Sequence, residues 1–264
     1  MKIGKRNLSQ LVKALFARQH YVAFVNIILV CHNPFDCFKR YFLGSGTYPI
    51  KIVLRTPLGK IYPEIYSYYD MLTINEIFCR TDYKTKNDIG VVVDIGSNIG
   101  ISALFFLTRN NFCKCYLFEP DPDNVVKLYS NLKKFKDRYT LKKCAVTNES
   151  GIKQFGRDPV GRCGGLNRKT ENYINVQCCH INEVLRKILN PESENKIDIL
   201  KIDIEGDEIK ALQSIDKNLL DKINIIYFEI DYTVNLDPNF SFYPEMFINK
   251  RYGKTYKLIN KKTK

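Results

Sequence analysis

The sequence lacks the cysteine patterns that indicate a zinc site or a secreted disulfide scaffold. Its nine cysteines are odd in number, and no two of them form a C-x-x-C pair. Small secreted domains usually carry an even set of cysteines, and structural zinc sites usually carry C-x-x-C pairs. We therefore expect free thiols, a reducing compartment and a cytoplasmic protein.

Long hydrophobic runs are also missing. The longest apolar stretch near the N-terminus, residues 21–31, is broken by Asn26 and is shorter than the roughly 20 residues that span a bilayer. It lies too deep in the chain for an ordinary signal peptide, and Lys13 and Arg18 interrupt the segment before it. No transmembrane segment is predicted, and peripheral contact with a membrane stays open.

Acidic residues are nearly absent from the two ends of the chain. Residues 1–60 carry ten Lys and Arg against the single acid Asp36, and residues 250–264 carry seven and no acid. The middle has 24 basic and 27 acidic residues, although the whole chain has a net charge of +13. Basic ends favour phosphates, lipid headgroups or nucleic acid as partners, and solvated lysines explain them equally well.

The first 88 residues have the patterns of an extension to a larger domain. Apolar residues at helical spacing predict a helix or helical hairpin over residues 8–30. Alternation over residues 48–67 predicts a β-hairpin, and Thr73 followed by Glu76 predicts a capping box that starts a short helix. We expect a helical extension over 1–46, a hairpin and short helix acting as a substrate cap over 47–88, and a catalytic domain over 89–264.

Beyond Gly90 the sequence has the pattern of an α/β domain, with short apolar runs alternating with amphipathic segments. Strands separated by helices of this length indicate right-handed crossovers and a doubly wound, mostly parallel sheet. The predicted strands are 91–95, 115–118, 139–146, 176–179, 197–204 and 223–230, and the predicted helices are 99–107, 123–134, 181–189 and 209–215.

A glycine turn follows the first core strand and contains Asp94, Gly96, Asn98 and Gly100. Gly96 permits a tight turn, and Gly100 permits close packing of the next helix on the strand, with the helix N-terminus directed at a ligand. The dinucleotide pattern G-x-G-x-x-G is absent, which makes a nicotinamide dehydrogenase the weakest interpretation. An acid just before the turn suits a cationic or hydroxyl-bearing ligand.

Two further acidic segments follow later core strands. Glu119, within Phe118-Glu119-Pro120-Asp121-Pro122, ends the second strand, where an acid accepts hydrogen bonds from ribose hydroxyls. Residues 200–208 place Lys201, Asp203 and Glu205 on one side of a strand. Charged groups in a central strand are costly unless they meet a partner, a ligand or solvent at its open end. We interpret them as a functional cluster.

Together these segments resemble the FkbM-type family of S-adenosylmethionine-dependent methyltransferases. The resemblance rests on VVVDIGSNIG (91–100), YLFEPDP (116–122), IDILKIDIEGDE (197–208) and IYFEID (226–231), and it extends to CAVTNESGIKQF (144–155). It implies a Rossmann-like class I methyltransferase sheet and an O-methyltransferase that acts on a sugar, glycan or secondary metabolite. The family turn more often has Ala at the position of Ser97.

The resemblance also implies where the cofactor lies. The methionine end of S-adenosylmethionine would be held by the glycine turn, the ribose by Glu119 and the adenine near the backbone of Ala145. The cofactor-binding residues implied are Asp94, Gly96, Ser97, Asn98, Gly100, Glu119, Pro120, Asp121 and Ala145.

The chemistry points to Asp203 as the base. Methyl transfer to an alcohol is a direct displacement that requires alignment and removal of the hydroxyl proton. Lys201 would tune Asp203 or orient the acceptor, and Glu205 could serve in either role. Asp203, Glu205 and Glu229 are hard oxygen ligands that suit magnesium, but no His and Cys cluster supports a metal, and none is predicted.

Several alternatives stay open. A nucleic-acid methyltransferase would fit the basic ends, although the N/D-P-P-Y/F motif for base amino groups is absent. A cofactor-binding protein without catalysis is the other alternative. His180 is a second candidate base, although a helix-start role is favoured, and Arg157 or Arg162 could read an anionic acceptor from a loop over residues 155–173.

The segment after Asp231 is predicted to be too short for the complete sheet of this methyltransferase family. A helix over 242–250 and a strand over 255–259 are predicted, which leaves the second strand of the expected antiparallel pair missing. Removing 250–264 should therefore weaken acceptor or surface association more than cofactor affinity, unless this tail completes the sheet.

Overall fold

The computed structural model describes residues 2–3, 6–7, 18–158, 164–189, 196–230, 241–252 and 254–263. A short N-terminal pair, β1 (Lys2–Ile3) and β2 (Arg6–Asn7), is followed by helices α1 (Arg18–Val30) and α2 (Pro34–Leu43). The helix predicted over 8–30 is confirmed from residue 18 onward, and residues 8–17 lie outside the described part. No helix in the described part of the chain is both long and apolar enough to cross a bilayer.

The predicted hairpin is confirmed, whereas the helix that follows it begins earlier than predicted. Strand β3 (Ile50–Lys51) pairs with β6 (Glu64–Ile65), and β4 (Leu54–Thr56) pairs with β5 (Gly59–Ile61). Helix α3 (Tyr68–Ile74) starts at a capping box of Ser67 and Asp70, and a π-helix (Asn75–Cys79) follows directly. The predicted capping box at Thr73 and Glu76 is therefore wrong, because Thr73 lies inside α3 and bonds the carbonyl of Tyr69.

From Val91 onward the chain forms the strands and helices of the α/β core. It contains β7 (Val91–Ile95), α4 (Ile101–Leu107), β8 (Lys114–Phe118), α5 (Pro122–Leu132), β9 (Tyr139–Lys142), β10 (Ala145–Thr147), β11 (Gly151–Gly156), β12 (Tyr173–His180), α6 (Ile181–Ile188), β13 (Ile197–Ile202), α7 (Glu208–Gln213), α8 (Lys217–Leu220), β14 (Ile223–Glu229), β15 (Phe247–Tyr252) and β16 (Thr255–Asn260), with short 3-10 helices at Lys133–Arg138 and Lys261–Thr263.

Seven of these strands form the central sheet, in the order β15-β16-β14-β13-β7-β8-β9. The five strands from β14 to β9 are parallel to one another, and β16 is antiparallel to both of its neighbours. This arrangement confirms the predicted doubly wound α/β sheet. Ligands bind to such sheets outside the carboxyl ends of the strands.

The antiparallel pair at the sheet edge is complete, which corrects the C-terminal prediction. Residues predicted as a helix over 242–250 instead contain strand β15, whose Phe247 pairs with Asn260 and whose Tyr252 pairs with Thr255 of β16. The Asn249 side chain bonds the backbone NH and carbonyl of Phe242, which holds the segment before β15 in a turn. The tail is therefore part of the central sheet.

The strand predicted over 139–146 is also divided in two. The chain turns after β9, where the Cys144 NH donates to the Lys142 carbonyl, and Ala145 then pairs with Cys178. Strands β10, β12 and β11 form a separate three-stranded sheet. This change of direction moves Ala145 away from the central sheet and toward the ligand site.

Apolar residues cover both faces of the central sheet. Val92, Ile199 and Tyr227 face a cluster that includes Ala23 and Ile27 of α1, so the N-terminal elements pack directly on the sheet. The opposite face packs against α6, α7 and α8. The domain boundaries near residues 46 and 88 stay predictions. The eight cysteines in the described residues are buried, free thiols.

Candidate active site

The end of β7 places a buried carboxylate beneath the glycine turn. Asp94 Oδ2 accepts a hydrogen bond from Ser102 Oγ at 2.6 Å, and Asp94 Oδ1 lies 3.0 Å from Lys201 Nζ. Ser97 Oγ donates to the Asp94 carbonyl at 2.8 Å. Asp94 and Ser97 therefore hold the turn together from its buried side, and Ser97 also lines a cavity next to the π-helix.

Gly100 supports the turn through packing with α5. It lies in the left-handed region with φ of 87°, and a Cβ there would stand 3.2 Å from Leu128 Cγ and 3.3 Å from Leu132 Cγ. The close neighbours of Gly100 are therefore side chains of α5, whereas the sequence predicted close packing on the strand. Gly100 does not line the cavity above the turn.

A cavity of about 660 Å³ lies above the glycine turn, at the carboxyl ends of β7, β8 and β13. Of the predicted cofactor residues, the structure brings five together on its wall: Gly96, Asn98, Glu119, Pro120 and Ala145. Asp203 and Glu205 line the same cavity.

Glu119 is the central polar group of this first cavity. Its Oε2 accepts from the Asn98 NH at 2.8 Å, and its Oε1 accepts from the Asp121 NH at 2.9 Å. Burial raises the pKa of Glu119 to about 7, against the opposing effect of these two backbone donors. Asn124 Nδ2 also donates to Oε1, at 3.4 Å, so Oε2 is the oxygen with a further lone pair with which to accept a ligand hydroxyl.

Asp121 supports the cavity wall rather than lining it. It begins α5, where its Oδ1 accepts from the Asp123 NH at 2.9 Å. The Arg157 guanidinium donates to both Asp121 oxygens, at 2.9 and 3.0 Å, and also pairs with Asp123. Arg157, predicted to read an anionic acceptor, is thus held by two carboxylates. Arg162 lies outside the described residues.

Lys201 joins the end of β13 to the glycine turn. Its ammonium group is buried and lies 3.0 Å from Asp94 Oδ1 and 3.3 Å from Asp203 Oδ2, and it donates to the Gly96 carbonyl at 3.0 Å. Burial opposes the charge, but the two carboxylates outweigh it and raise the pKa of Lys201 above its ordinary value. Lys201 therefore stays charged and orients Asp203.

Strand β13 ends at Ile202, so Asp203 and Glu205 lie in the loop beyond it. The Asp203 side chain is about one-third exposed (34%), whereas Lys201 is 2% exposed. Glu205 has φ of 56°, and Glu208 fixes this loop by accepting from the NH groups of Ile204 and Gly206. Glu208 and its neighbour Asp207, which lines the first cavity, were not predicted from the sequence.

A second cavity of about 710 Å³ lies on the other side of the loop and the turn. It shares Gly96, Asn98, Asp203 and Glu205 with the first cavity. The π-helix and the residues after it close its outer side with Glu76, Ile77, Asp82 and Tyr83, and Lys201 and Glu229 also line it. The predicted cap segment therefore contributes directly to this cavity.

Glu229 is the least obvious member of the second cavity. It ends β14, and its Oε1 lies 3.4 Å from Thr255 Oγ1, which donates to it. Burial raises the pKa of Glu229 to about 8, and the nearby charges of Asp203, Glu76 and Asp82 add to the effect. Its position at a strand end was the only sequence signal.

The remaining sequence candidates are not brought to either cavity. His180 caps the N-terminus of α6 by accepting from the Asn182 NH at 3.1 Å, which is the favoured helix-start role. Among the described residues, no group of three or more His, Cys, Asp or Glu side chains is arranged to hold a metal ion. Asp231 lies outside the described residues.

The lining of the first cavity suits S-adenosylmethionine, the cofactor that the resemblance implies. Phe118, Val146 and Phe155 would give apolar walls to the purine, and Glu119 would accept hydrogen bonds from the ribose. Asp203 and Glu205 would add carboxylates that balance the sulfonium charge. Phe155 comes from β11, outside the central sheet, and had been predicted as part of a loop.

The sequence of this region is similar to those of known proteins. Residues 94–254 match the family described as the Methyltransferase FkbM domain. The chain is 24% identical over 173 residues to the hexuronic acid methyltransferase AglP of Haloferax volcanii, which covers 61% of this chain and 69% of that protein. It is 23% identical over 197 residues to the AMB antimetabolite synthetase AmbE of Pseudomonas aeruginosa, which covers 61% of this chain and 9% of that protein.

Solved structures also superpose on part of the chain. TrmK of M. capricolum, in complex with S-adenosyl-homocysteine, is 13% identical with a TM-score of 0.38, covering 69% of this chain and 66% of that chain. A methyltransferase from Geobacter sulfurreducens is 14% identical with a TM-score of 0.35, covering 66% of this chain and 72% of that chain.

Proposed function

Because the chain belongs to the FkbM family of methyltransferases, we propose that it methylates a hydroxyl group of a sugar, a glycan or a related metabolite. The family match confirms the prediction of an S-adenosylmethionine-dependent methyltransferase of this family. What we propose in addition is that the methylated group is a hydroxyl. The sugar is suggested by the hexuronic acid methyltransferase relative.

One observation carries the proposal: the two cavities meet at a shared wall. Gly96, Asn98, Asp203 and Glu205 border both of them. When bound in the first cavity, S-adenosylmethionine supplies an electrophilic methyl group on its sulfonium. An acceptor in the second cavity would then present its hydroxyl across this wall, which provides the alignment that a direct displacement requires.

We assign the base to Asp203. Its carboxylate borders both cavities and is partly exposed, so it can reach the acceptor hydroxyl and accept its proton. Lys201 holds the Asp203 carboxylate from the buried side at 3.3 Å. Glu205 lies on the same wall and would help to position the acceptor.

The charge of the second cavity favours a neutral hydroxyl at the reacting end. Six Asp and Glu side chains line it, of which Glu76 and Asp82 are paired with Arg80 and Glu229 has its pKa raised to about 8 by burial, so Asp203 and Glu205 carry the charge nearest the first cavity. Among the described residues of its wall, the one cation is Lys201, which is already paired with Asp94 and Asp203. An anionic group beside the methyl would meet like charges in a partly desolvated site. If the acceptor is anionic, its charge should therefore lie away from the methylated oxygen. The six carboxylates are Asp70, Glu76, Asp82, Asp203, Glu205 and Glu229.

The test is methyl transfer to a panel of sugars with labelled S-adenosylmethionine, comparing wild type with D203N. We expect D203N to lose about 10²–10⁴-fold in turnover while its affinity for S-adenosylhomocysteine, measured by calorimetry, stays unchanged. The matched control is D137N, an exposed aspartate in the 3-10 helix after α5. Normal turnover by D203N would refute the assigned base, and wild type that labels no hydroxyl would refute the proposed reaction.

A further inference from the structure

A third cavity lies outside the active site, and its lining is basic. It has a volume of about 740 Å³ and is bordered by α1, the β4–β5 hairpin, the segment after the π-helix and the end of α4. Its polar lining consists mainly of Arg55, Lys84 and Arg109 with the hydroxyls of Thr56, Thr81 and Thr85. Among the residues that the structure describes, no carboxylate lines it.

Arg109 is the strongest sign that this cavity takes an anion. Its Nε donates to the Phe105 carbonyl at 3.0 Å, and its guanidinium carbon stacks 4.1 Å from the centre of the Phe105 ring. In the described part of the chain no carboxylate pairs with it, and burial lowers its pKa to about 10. A half-buried guanidinium without a counter-charge carries a desolvation cost that a bound anion would offset.

Arg55, a second cation of the cavity, is also directed by the backbone rather than by acids. Arg55 donates through one terminal nitrogen to the carbonyls of Leu29 and Cys31, at 3.2 and 2.8 Å, which fixes it at the end of α1. Lys257 Nζ donates to the Lys84 carbonyl at 2.9 Å. Burial, together with the charges of Lys250 and Lys84, lowers the pKa of Lys257 to about 8. Positive charge is therefore in excess around this cavity.

The cavity adjoins an exposed apolar surface on α1. Asn26 and Val30 line the cavity, whereas Ala23 and Ile27 are buried against the core. From Tyr21 to Leu29 the remaining residues of the helix are apolar and open to solvent, with Leu29 62% exposed. We call this surface the α1 face: it consists of Tyr21, Val22, Phe24, Val25, Ile28 and Leu29.

A contiguous exposed apolar surface of this kind marks an interaction site. An exposed apolar helix surface with basic groups beside it suits contact with the apolar part and the anionic headgroups of a lipid layer. Arg55, Lys84 and Arg109 line the cavity beside the α1 face, so the surroundings of this face are positive on that side. A second copy of this chain would bring two positive ends together, whereas an anionic lipid layer complements both the apolar face and the charge.

We propose that the cavity of Arg55, Lys84 and Arg109 binds the phosphate group of an anionic phospholipid, with the α1 face against the apolar part of the same lipid layer. The threonine hydroxyls at the cavity wall add donors that suit phosphate oxygens. The segment 81–85 lies between this cavity and the second active-site cavity, because Asp82 and Tyr83 line the latter. Docking would thus hold the acceptor entrance close to the lipid surface.

Vesicle flotation of the full chain tests this proposal. We expect binding to vesicles of phosphatidylcholine with phosphatidylglycerol, weaker binding to phosphatidylcholine alone, and loss of binding at high salt. K84Q and R109Q should each weaken binding to the anionic vesicles by about fivefold, from about 1 kcal/mol for each basic group. K136Q, at an exposed lysine on the 3-10 helix after α5, is the matched control.

The α1 face is tested by replacing Val25 and Ile28 with serine together. This double variant should lose at least about tenfold in vesicle binding, because two apolar side chains are lost from the lipid contact. V126S is the control, since Val126 is 69% exposed on α5. All variants should keep wild-type affinity for S-adenosylhomocysteine, which excludes misfolding as the cause.

Three outcomes would overturn the proposal. Equal binding to neutral and anionic vesicles, or binding unchanged by K84Q and R109Q, would remove the phosphate site. Binding of inorganic phosphate in calorimetry, lost in R109Q, without any vesicle binding would assign the cavity to a free anion. A dimer in sedimentation velocity that the double serine variant dissociates, again without vesicle binding, would assign the α1 face to a second copy.

Discussion

Gly96 lies so close to Asp203 that a Cβ atom on Gly96 would stand 1.8 Å from the Asp203 carbonyl oxygen. The Asp203 NH also donates to the Ile95 carbonyl at 3.1 Å, so the ends of β7 and β13 are joined at this point. The turn that borders the cofactor cavity and the loop that carries the proposed base thus form one unit. Several predictions of structure and activity rest on this unit and its neighbours.

Replacing Gly96 with alanine should damage both cofactor binding and stability. The added methyl group collides with backbone at a φ of 79°, so the turn or the Asp203 loop must shift. We expect at least about tenfold weaker S-adenosylhomocysteine binding and a lower melting temperature. G59A is the control: Gly59 has φ of 98° but nothing within 4 Å, so it carries only backbone strain of about 1–3 kcal/mol. Equal effects of the two variants would contradict the close approach.

Replacing Lys201 with methionine should destabilise the fold strongly. It would leave Asp94 buried without its cation, and breaking a buried pair typically costs about 3–5 kcal/mol. Chemical denaturation of K201M measures this loss, with the exposed-lysine variant K136M expected within about 0.5 kcal/mol of wild type. Combining K201M with D94N should restore part of the stability, and a double variant no better than K201M would argue against the pair.

Cofactor affinity should increase as the pH rises from 6 to 8. The Glu119 carboxyl has a pKa of about 7 because it is buried, and it accepts hydrogen bonds from ligand hydroxyls best when ionised. Below pH 7 it is protonated, so binding of S-adenosylhomocysteine should weaken by up to about tenfold per unit. Calorimetry across this range checks it. E119Q should bind weakly at every pH, and a pH dependence that survives in E119Q would assign the effect to another group.

Turnover at saturating cofactor should rise between pH 7 and pH 9. Glu229 has a pKa of about 8, since it is buried beside Asp203, Glu76 and Asp82, with Lys201 acting in the opposite sense. Its ionisation adds negative charge to the acceptor cavity, which favours removal of the hydroxyl proton as the methyl group is transferred. E229Q should flatten this rise while leaving cofactor affinity unchanged. A rise of the same size in E229Q would exclude Glu229 as its origin.

Removing residues 250–264 should unfold the protein, rather than only weaken its association with an acceptor or a surface. The deletion takes away β16, which lies between β14 and β15 in the sheet, and Tyr256 and Leu258 leave the core with it. A deletion of 261–264 alone retains every strand and serves as the control. Circular dichroism and S-adenosylhomocysteine binding distinguish the two, and a folded 250–264 deletion with normal cofactor affinity would contradict the role of β16.

Local sequence patterns were sufficient to predict the strands that are buried on both faces of the sheet. The apolar runs of β7, β8 and β13 marked central strands, and the polar residues just after them marked the ligand edge. Local patterns were insufficient to predict where helix α3 starts, because two capping patterns lie close together. Ser67 with Asp70 and Thr73 with Glu76 have the same capping spacing, and packing of Met71 and Ile74 in the core selects the first.

Partner contacts explain the remaining errors. The sequence of β15 alternates only weakly and becomes a strand because β16 pairs with it along its whole length. The strand predicted over 139–146 divides because Ala145 finds its partner in Cys178, more than thirty residues later. Strand pairing of this kind depends on residues distant in the chain, so a local sequence pattern does not predict it.

The sequence by itself determined the family, the alternating core and the set of acids at the strand ends, because periodicity and motif spacing are local properties of the chain. Only the tertiary structure decided that Asp94 and Asp121 face charged partners while Glu119 and Asp203 face the cavities. It also decided that Glu229 joins the acceptor cavity. Burial and charge pairing arise between residues as far apart in sequence as Asp94 and Lys201, and folding alone brings these together.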